Sequence, residues 1–106
     1  MRSFVMLLTF SLLAECSSPS SADQPDLRIG EYYTSARQRL ISAGWQAIPA
    51  ECSPSNMCFG DMYPEMATNM ETGAVCPTFI RGSSRLVVCL NVIPDDAIVA
   101  SFRVER

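Results

Sequence analysis

The stretch Val75-Cys76-Pro77-Thr78-Phe79-Ile80-Arg81-Gly82-Ser83-Ser84-Arg85-Leu86-Val87-Val88-Cys89 decides the fold. Two runs rich in β-branched and aromatic residues flank Gly82-Ser83, a two-residue loop with glycine first, which is the signature of a type II′ hairpin turn. The turn sets Arg81 against Ser84, and counting outward places Cys76 opposite Cys89. That pair falls at a non-hydrogen-bonded position, where α-carbons approach to about 4.5 Å, within reach of a disulfide. Pro77 then faces Val88 at a hydrogen-bonded position without an N–H to donate, so the ladder is expected to bulge or lose a bond there.

Working outward, strands are expected over Val75 to Arg81 and Ser84 to Ile93, with Phe79, Leu86, Val88, Leu90 and Val92 on the covered side. Pro94-Asp95-Asp96 makes the next turn. In the last strand Ile98, Ala100, Phe102 and Val104 alternate with Val99, Ser101, Arg103 and Glu105, which predicts one covered face and one wet face. Upstream, Tyr33, Ala36, Leu40 and Ile41 recur at helical spacing between Glu31 and Ala43, with Arg37, Gln38 and Arg39 on the other side. Gly44 stands where a left-handed C-cap is wanted, and Trp45 can fold back on Leu40 or Ile41 as a core anchor. Gln46 to Ile48 continues as a short strand stopped by Pro49. The expected fold is α+β: one N-terminal amphipathic helix packed on a small antiparallel sheet, a C-terminal three-stranded meander plus the short strand, stapled by two disulfides. Residues 50–75 are the irregular part, with a small loop between Cys52 and Cys58 and a helix opened by Pro64 and ended by Gly73.

The front of the chain reads as an export signal. Met1-Arg2 leads into an apolar run from Phe4 to Ala14 and then a small polar tail. The run is shorter than the roughly twenty residues that cross a bilayer. Cleavage after Ala22 gives a signal peptide of 1–22. Alternatively, Leu13-Ala14-Glu15-Cys16 resembles a bacterial lipobox, so that the signal is 1–15 and Cys16 carries a lipid, although Glu15 departs from the small residue usual there. Residues 23–30 are expected as a flexible tether and 31–106 as a single domain. The protein is thus expected to be exported, periplasmic or extracellular, or anchored to the outer membrane as a lipoprotein.

Export gives the remaining cysteines their meaning. In an oxidising compartment Cys52, Cys58, Cys76 and Cys89 read as two bridges, and their spacing lacks the paired short knuckles of a zinc site. A redox role for Cys52 and Cys58 is disfavoured because their gap is not Cys-x-x-Cys. The chain has no histidine and no lysine. That removes the usual base of serine and cysteine nucleophiles, imidazole metal sites, Schiff bases and lysine-dependent phosphate loops. Net charge is −3, so no nucleic-acid footprint is expected.

Two constellations remain. Met57, Met62, Met66 and Met70 form a series in which the last three are four apart; on a helix they would share a face whose thioethers suit Cu(I) or Ag(I), while the ordinary reading of such a stripe is packing. Asp61 with Glu65, or Glu65 with Glu71, could pair as catalytic carboxylates, with solvated surface charge as the ordinary reading. Asp95 and Asp96 read as turn residues.

Gly44-Trp45 with Pro49 after the Ala36-Arg37 helix, then Tyr63-Pro64-Glu65, Thr72-Gly73 and Cys76, resembles small exported bacterial proteins without a known activity. The resemblance implies a disulfide-bonded envelope domain and brings no catalytic residues. Its members carry in some cases a further cysteine where this chain has Asn69 and Met70. The expectation is therefore a non-enzymatic exported domain without a cofactor that binds a protein or envelope component. Soft-metal binding and a lipid-anchored structural role are the alternatives.

Overall fold

The computed structural model describes residues 24–59 and 63–106. The expected signal peptide, Cys16, Asp61 and Met62 lie outside the described residues. In chain order the elements are α1 (Tyr33–Ser42), β1 (Gln46–Ile48), β2 (Asn56–Cys58), β3 (Ala67–Asn69), β4 (Thr78–Arg81), β5 (Ser84–Ile93) and β6 (Asp96–Glu105). Strands β1, β4, β5 and β6 form one antiparallel sheet in that spatial order, and β2 with β3 forms a two-stranded arm. Bridges from Thr68 to Val75 and from Val75 to Leu90 tie the arm to the sheet. No described helix is long and apolar enough to cross a membrane.

The hairpin takes the register that Gly82-Ser83 dictates, with Arg81 against Ser84 and Thr78 against Val87. Gly82 sits at φ 60°, which its missing Cβ permits. The register runs on through the proline. Val88 N–H donates to the Pro77 carbonyl at 3.0 Å and Leu90 N–H to Val75 at 2.9 Å, so the single bond that Pro77 cannot donate is the whole cost. Cys76 and Cys89 are bridged across this pair with α-carbons 4.0 Å apart.

The sheet's covered face carries the core. Tyr33, Ala36 and Leu40 of α1 are buried with Trp45, Met66, Val75, Phe79, Leu86, Val88, Leu90, Ala97 and Val99. Full burial of each large apolar side chain is worth about 1.5–3 kcal/mol. The helix ends as a Schellman motif: Gly44 N–H donates to Ile41 O and Trp45 N–H to Leu40 O, both at 3.0 Å, with Gly44 at φ 94°. Trp45 then lies 1% exposed in the core.

Several expectations are corrected. The helix is not N-terminal within the folded body, because residues 25–32 precede it and contribute to the domain. Pro25 is buried and Leu27 packs on the core. Gly30 N–H donates to Val99 O at 2.7 Å, Val99 N–H returns a bond to Glu31 O at 2.9 Å, and Tyr32 bridges Ile98. Within the segment expected as a tether, Pro25 is thus buried, Leu27 packs on the core, Asp26 meets Arg39 of α1 and Gly30 bonds to β6. Ile41 is exposed, being on the flank of the buried stripe, and Val92 is exposed near the end of β5.

In β6 the strict alternation breaks. Register slips between Cys89 and Leu90, which face Ser101 and Val99, so Ala100 is an extra, bulged residue. The bulge switches the inward face from Phe102 and Val104 to Val99 and Ala97, leaving Ile98 and Ala100 off the core. No helix follows Pro64. Met66 N–H donates to Tyr63 O at 3.0 Å, making Tyr63-Pro64-Glu65-Met66 a turn with proline at its favoured second position, and the chain enters β3 directly.

Candidate functional site

The face of the sheet turned away from α1 bears Ile48, Thr78, Ile80 and Arg85, and the arm overhangs it. Between them lies a cleft of about 600 Å³. Its floor is Cys76, Thr78 and Ile80; Ile48, Pro49 and Ala50 form one wall, and Asn56, Ala67, Asn69 and Ala74 of the arm form the other. Local chemistry shapes the arm. Cys52 and Cys58 are bridged, with α-carbons 5.4 Å apart, and Ser53 and Asn56 exchange backbone hydrogen bonds at 3.0 Å. At the other end Asn69 Oδ1 accepts from the N–H groups of Glu71 at 2.9 Å and Thr72 at 3.2 Å, and Gly73 turns the chain at φ 76°.

The arm is held above the sheet by a buried polar cluster. Glu65 is 3% exposed. Arg37 grips its carboxylate in a bidentate pair along one edge of the guanidinium, Nε to Oε2 at 2.5 Å and Nη2 to Oε1 at 3.2 Å, and the Tyr33 hydroxyl donates to Oε2 at 2.5 Å. The Arg37 guanidinium also lies 4.2 Å over the Tyr63 ring, which meets Tyr33 edge-on at 5.6 Å. Burial pushes the Glu65 carboxyl up, but the hydrogen bonds from Arg37 and Tyr33 outweigh it and leave it below the usual carboxylate range. Burial, reinforced by the Glu65 carboxylate it bonds, raises the Tyr33 hydroxyl far out of the titrating range. The bond to Glu65 likewise raises Arg37. With every member partnered, the cluster is a clamp between α1 and the turn before β3 rather than a reactive pair.

Of the carboxylate pairs weighed from sequence, the structure gives Glu65 to Arg37, leaves Glu71 exposed on the arm, and Asp61 lies outside the described residues. Asp96 is more than a turn residue. Its Oδ1 accepts from Thr34 N–H at 3.3 Å, Thr34 Oγ1 at 3.0 Å and Ala97 N–H at 2.8 Å, capping the start of α1 from the β5–β6 turn.

All four cysteines are placed as expected. The methionines are divided: Met66 is 1% exposed in the core, whereas Met57 and Met70 are about half exposed on the arm. Met66 and Met70 do not share a helical face, because Ala67–Asn69 between them is a strand, and Met62 lies outside the described residues. Among the described residues no group of three or more acidic or cysteine side chains could hold a metal ion.

What the sequence reading missed is the work of the arginines. Arg39 binds Glu31 through Nη2 at 2.5 and 2.7 Å and Asp26 through Nε at 3.1 Å, pinning the N-terminal segment to α1. Arg81 stacks 4.5 Å over the Trp45 ring and donates to Ala43 O at 3.1 Å. These planar, multidentate roles suit guanidinium and not ammonium, which gives a chain without lysine a structural sense. The spacing of Tyr33 and Arg37, four apart and so on one helical face, was the available signal. The chain matches no protein-family model, no curated protein and no solved structure with significance, which leaves the cleft and its clamp as the features from which a function is read.

Proposed function

We propose that this chain is an exported, non-enzymatic binding domain that holds a segment of another protein or envelope component in the cleft beneath the β2–β3 arm. The observation that carries the reading is the cleft itself: a sheet face left open on the side away from α1, overhung by an arm that a disulfide braces internally and a buried ion pair ties to α1. Rigid walls, one of them carrying the amides of Asn56 and Asn69, around a floor of Cys76, Thr78 and Ile80 lower the ordering cost of binding. Ile80, exposed on that floor, supplies apolar contact area. The disulfides fit an oxidising compartment.

A photo-reactive residue at position 80, compared with one at the exposed Ser35 on α1, tests this in the native envelope. A defined cross-linked partner from position 80 alone is expected. Identical patterns from the two positions would overturn the reading. Intact-mass spectrometry of the exported protein reports its N-terminus and any lipid on Cys16, separating a soluble domain from an anchored one.

Soft-metal capture is the second reading, and it now rests on Met57 and Met70 alone of the described methionines. Met57 faces Thr68, and Met70 lies two residues beyond Thr68, so the register sets both on one side of the arm. Anaerobic Cu(I) titration of the wild type against Met57→Leu/Met70→Leu decides it: indistinguishable binding ends the idea.

A further inference from the structure

We infer that the cleft selects an extended protein segment carrying a carboxylate, and that Arg85 is the residue that reads it. The inference rests on the cleft being the binding surface for a protein segment and adds the chemistry of what it takes.

The argument is one of charge and commitment. Two side chains among those lining the cleft carry charge, Glu65 and Arg85. Glu65 is buried and fully engaged by Arg37 and Tyr33, so it presents no net negative charge to an occupant. Arg85 is different from the arginines that hold the fold. Arg37, Arg39, Arg81 and Arg103 each donate a hydrogen bond at 3.1 Å or less. The Arg85 guanidinium meets Glu105 only as a loose ion pair, Nε to Oε1 at 3.8 Å, beyond hydrogen-bond distance. Glu105 is already held by Arg103 at 2.8 Å. The Arg85 side chain is 61% exposed.

The cleft of a protein with net charge −3 is thus headed by a cation that has a loose ion pair with Glu105 but, among the described residues, no hydrogen bond from its forked donors. Such a fork matches a carboxylate in two parallel hydrogen bonds. Position favours a chain rather than an isolated anion. Arg85 lies directly across the ladder from Ile80, at a position where side chains come close, so its stem borders the apolar floor. A segment lying along the floor would set apolar side chains on Ile48 and Ile80, meet the amides of Asn56 and Asn69 on the arm, and bring a carboxylate at one end to Arg85.

The probe is a random octapeptide library displayed on phage and selected against the whole exported domain. The selected peptides are then synthesised with each Asp or Glu changed to its amide, and their binding is measured by fluorescence anisotropy. Targets are the wild type, Arg85→Gln, Arg85→Glu, and Thr78→Arg, which fills the floor. The expected result is recurrent Asp or Glu in the selected peptides, binding abolished by Thr78→Arg, and an affinity loss of about tenfold or more from Arg85→Gln that matches the loss from amidating the peptide. Each loss should leave the other without further effect. Arg85→Glu should weaken acidic peptides further and spare the amide forms. Far-ultraviolet circular dichroism checks that each variant is folded, and Arg85, being exposed, is not needed for the core.

Peptides that lose binding to Thr78→Arg but show no acid preference and ignore Arg85→Gln would overturn the role of Arg85 while leaving the cleft as the binding surface. Selection of no peptide, or of peptides indifferent to Thr78→Arg, would overturn both. Binding of free acetate or aspartate as tight as that of the acidic peptides would replace the segment by a small-anion site and overturn the inference in that form.

Discussion

Arg37→Met removes the guanidinium while keeping most of its bulk, and it should both destabilise the domain and reverse the pH dependence of its clamp. Glu65 would be left with a side chain that is 0% exposed and the Tyr33 hydroxyl as its remaining side-chain donor. Removing one partner of a buried ion pair costs about 3–5 kcal/mol. Arg37 itself is 24% exposed, so the low end, about 3 kcal/mol, is expected. At about 4–8 °C per kcal/mol for a domain of this size, Tm should fall by roughly 12–24 °C.

The sign of the pH effect is sharper. In the wild type the folded Glu65 pKa is depressed, since the donors outweigh burial; the stabilisation is present above the unfolded value of about 4.3 and lost as pH falls through the folded pKa. In Arg37→Met burial, the largest single influence on Glu65, is opposed only by the hydrogen bonds from Tyr33 and the backbone, and the folded pKa is expected to rise. The contribution of Glu65 is then retained below about 4.3 and lost as pH rises through the folded pKa. Urea unfolding followed by circular dichroism at pH 4, 5.5 and 7 should show the gap between wild type and variant widening with pH. An all-apolar replacement, Tyr33→Phe/Arg37→Met/Glu65→Leu, should recover most of the loss. A variant within 1 kcal/mol of wild type at pH 7, with an unchanged pH profile, would refute the clamp.

Asp96→Ala should cost about 1 kcal/mol through loss of the helix cap, with Asp96→Asn retaining most of it, measurable by chemical unfolding. Gly44→Ala forces a side chain into φ 94° and brings its Cβ to 3.6 Å from Arg81 Cδ, so a loss of about 1–2 kcal/mol is expected from backbone strain at the Schellman turn. Opening the Cys76–Cys89 bridge by double replacement with alanine should cost about 3 kcal/mol, against about 2.3 kcal/mol for Cys52–Cys58, whose ring is shorter. Differential scanning calorimetry should rank the two in that order.

What could be read from the sequence was whatever is decided locally. Gly82-Ser83 determines which residues face each other, and that alone places both Cys76 and Cys89 and predicts the single missing bond at Pro77. Gly44 and Trp45 dictate a helix ending whose hydrogen bonds span six residues. What could not be read depends on partners distant in sequence. Asp96 caps a helix 62 residues away, and Glu65 meets Arg37 across 28. Pro64 suits both the first position of a helix and the second of a turn. The choice is tertiary: in the turn, Met66 reaches the core and Glu65 reaches Arg37.

The β6 bulge shows the same competition and bears on the cleft. A strictly alternating strand would have kept Ile98, Ala100, Phe102 and Val104 on the core face. With Ala100 looped out, Phe102 and Val104 stay against the core at one end of β6, Ala97 and Val99 take over at the other, and Val99 can exchange hydrogen bonds with Gly30 and Glu31. That docking covers β6 at its N-terminal half. At its C-terminal half, beyond the bulge, the open face bears Arg103 and Glu105 beside Arg85. Because Arg103, two residues along the strand, holds Oε2 of Glu105 at 2.8 Å, Arg85 on β5 keeps only a 3.8 Å ion pair to Oε1 and faces the cleft without a hydrogen bond to that carboxylate. Arg103→Ala therefore provides a reciprocal control on the carboxylate site. Freed from Arg103, Glu105 should turn to Arg85 and weaken acidic peptides, though position 103 is not among the residues lining the cleft.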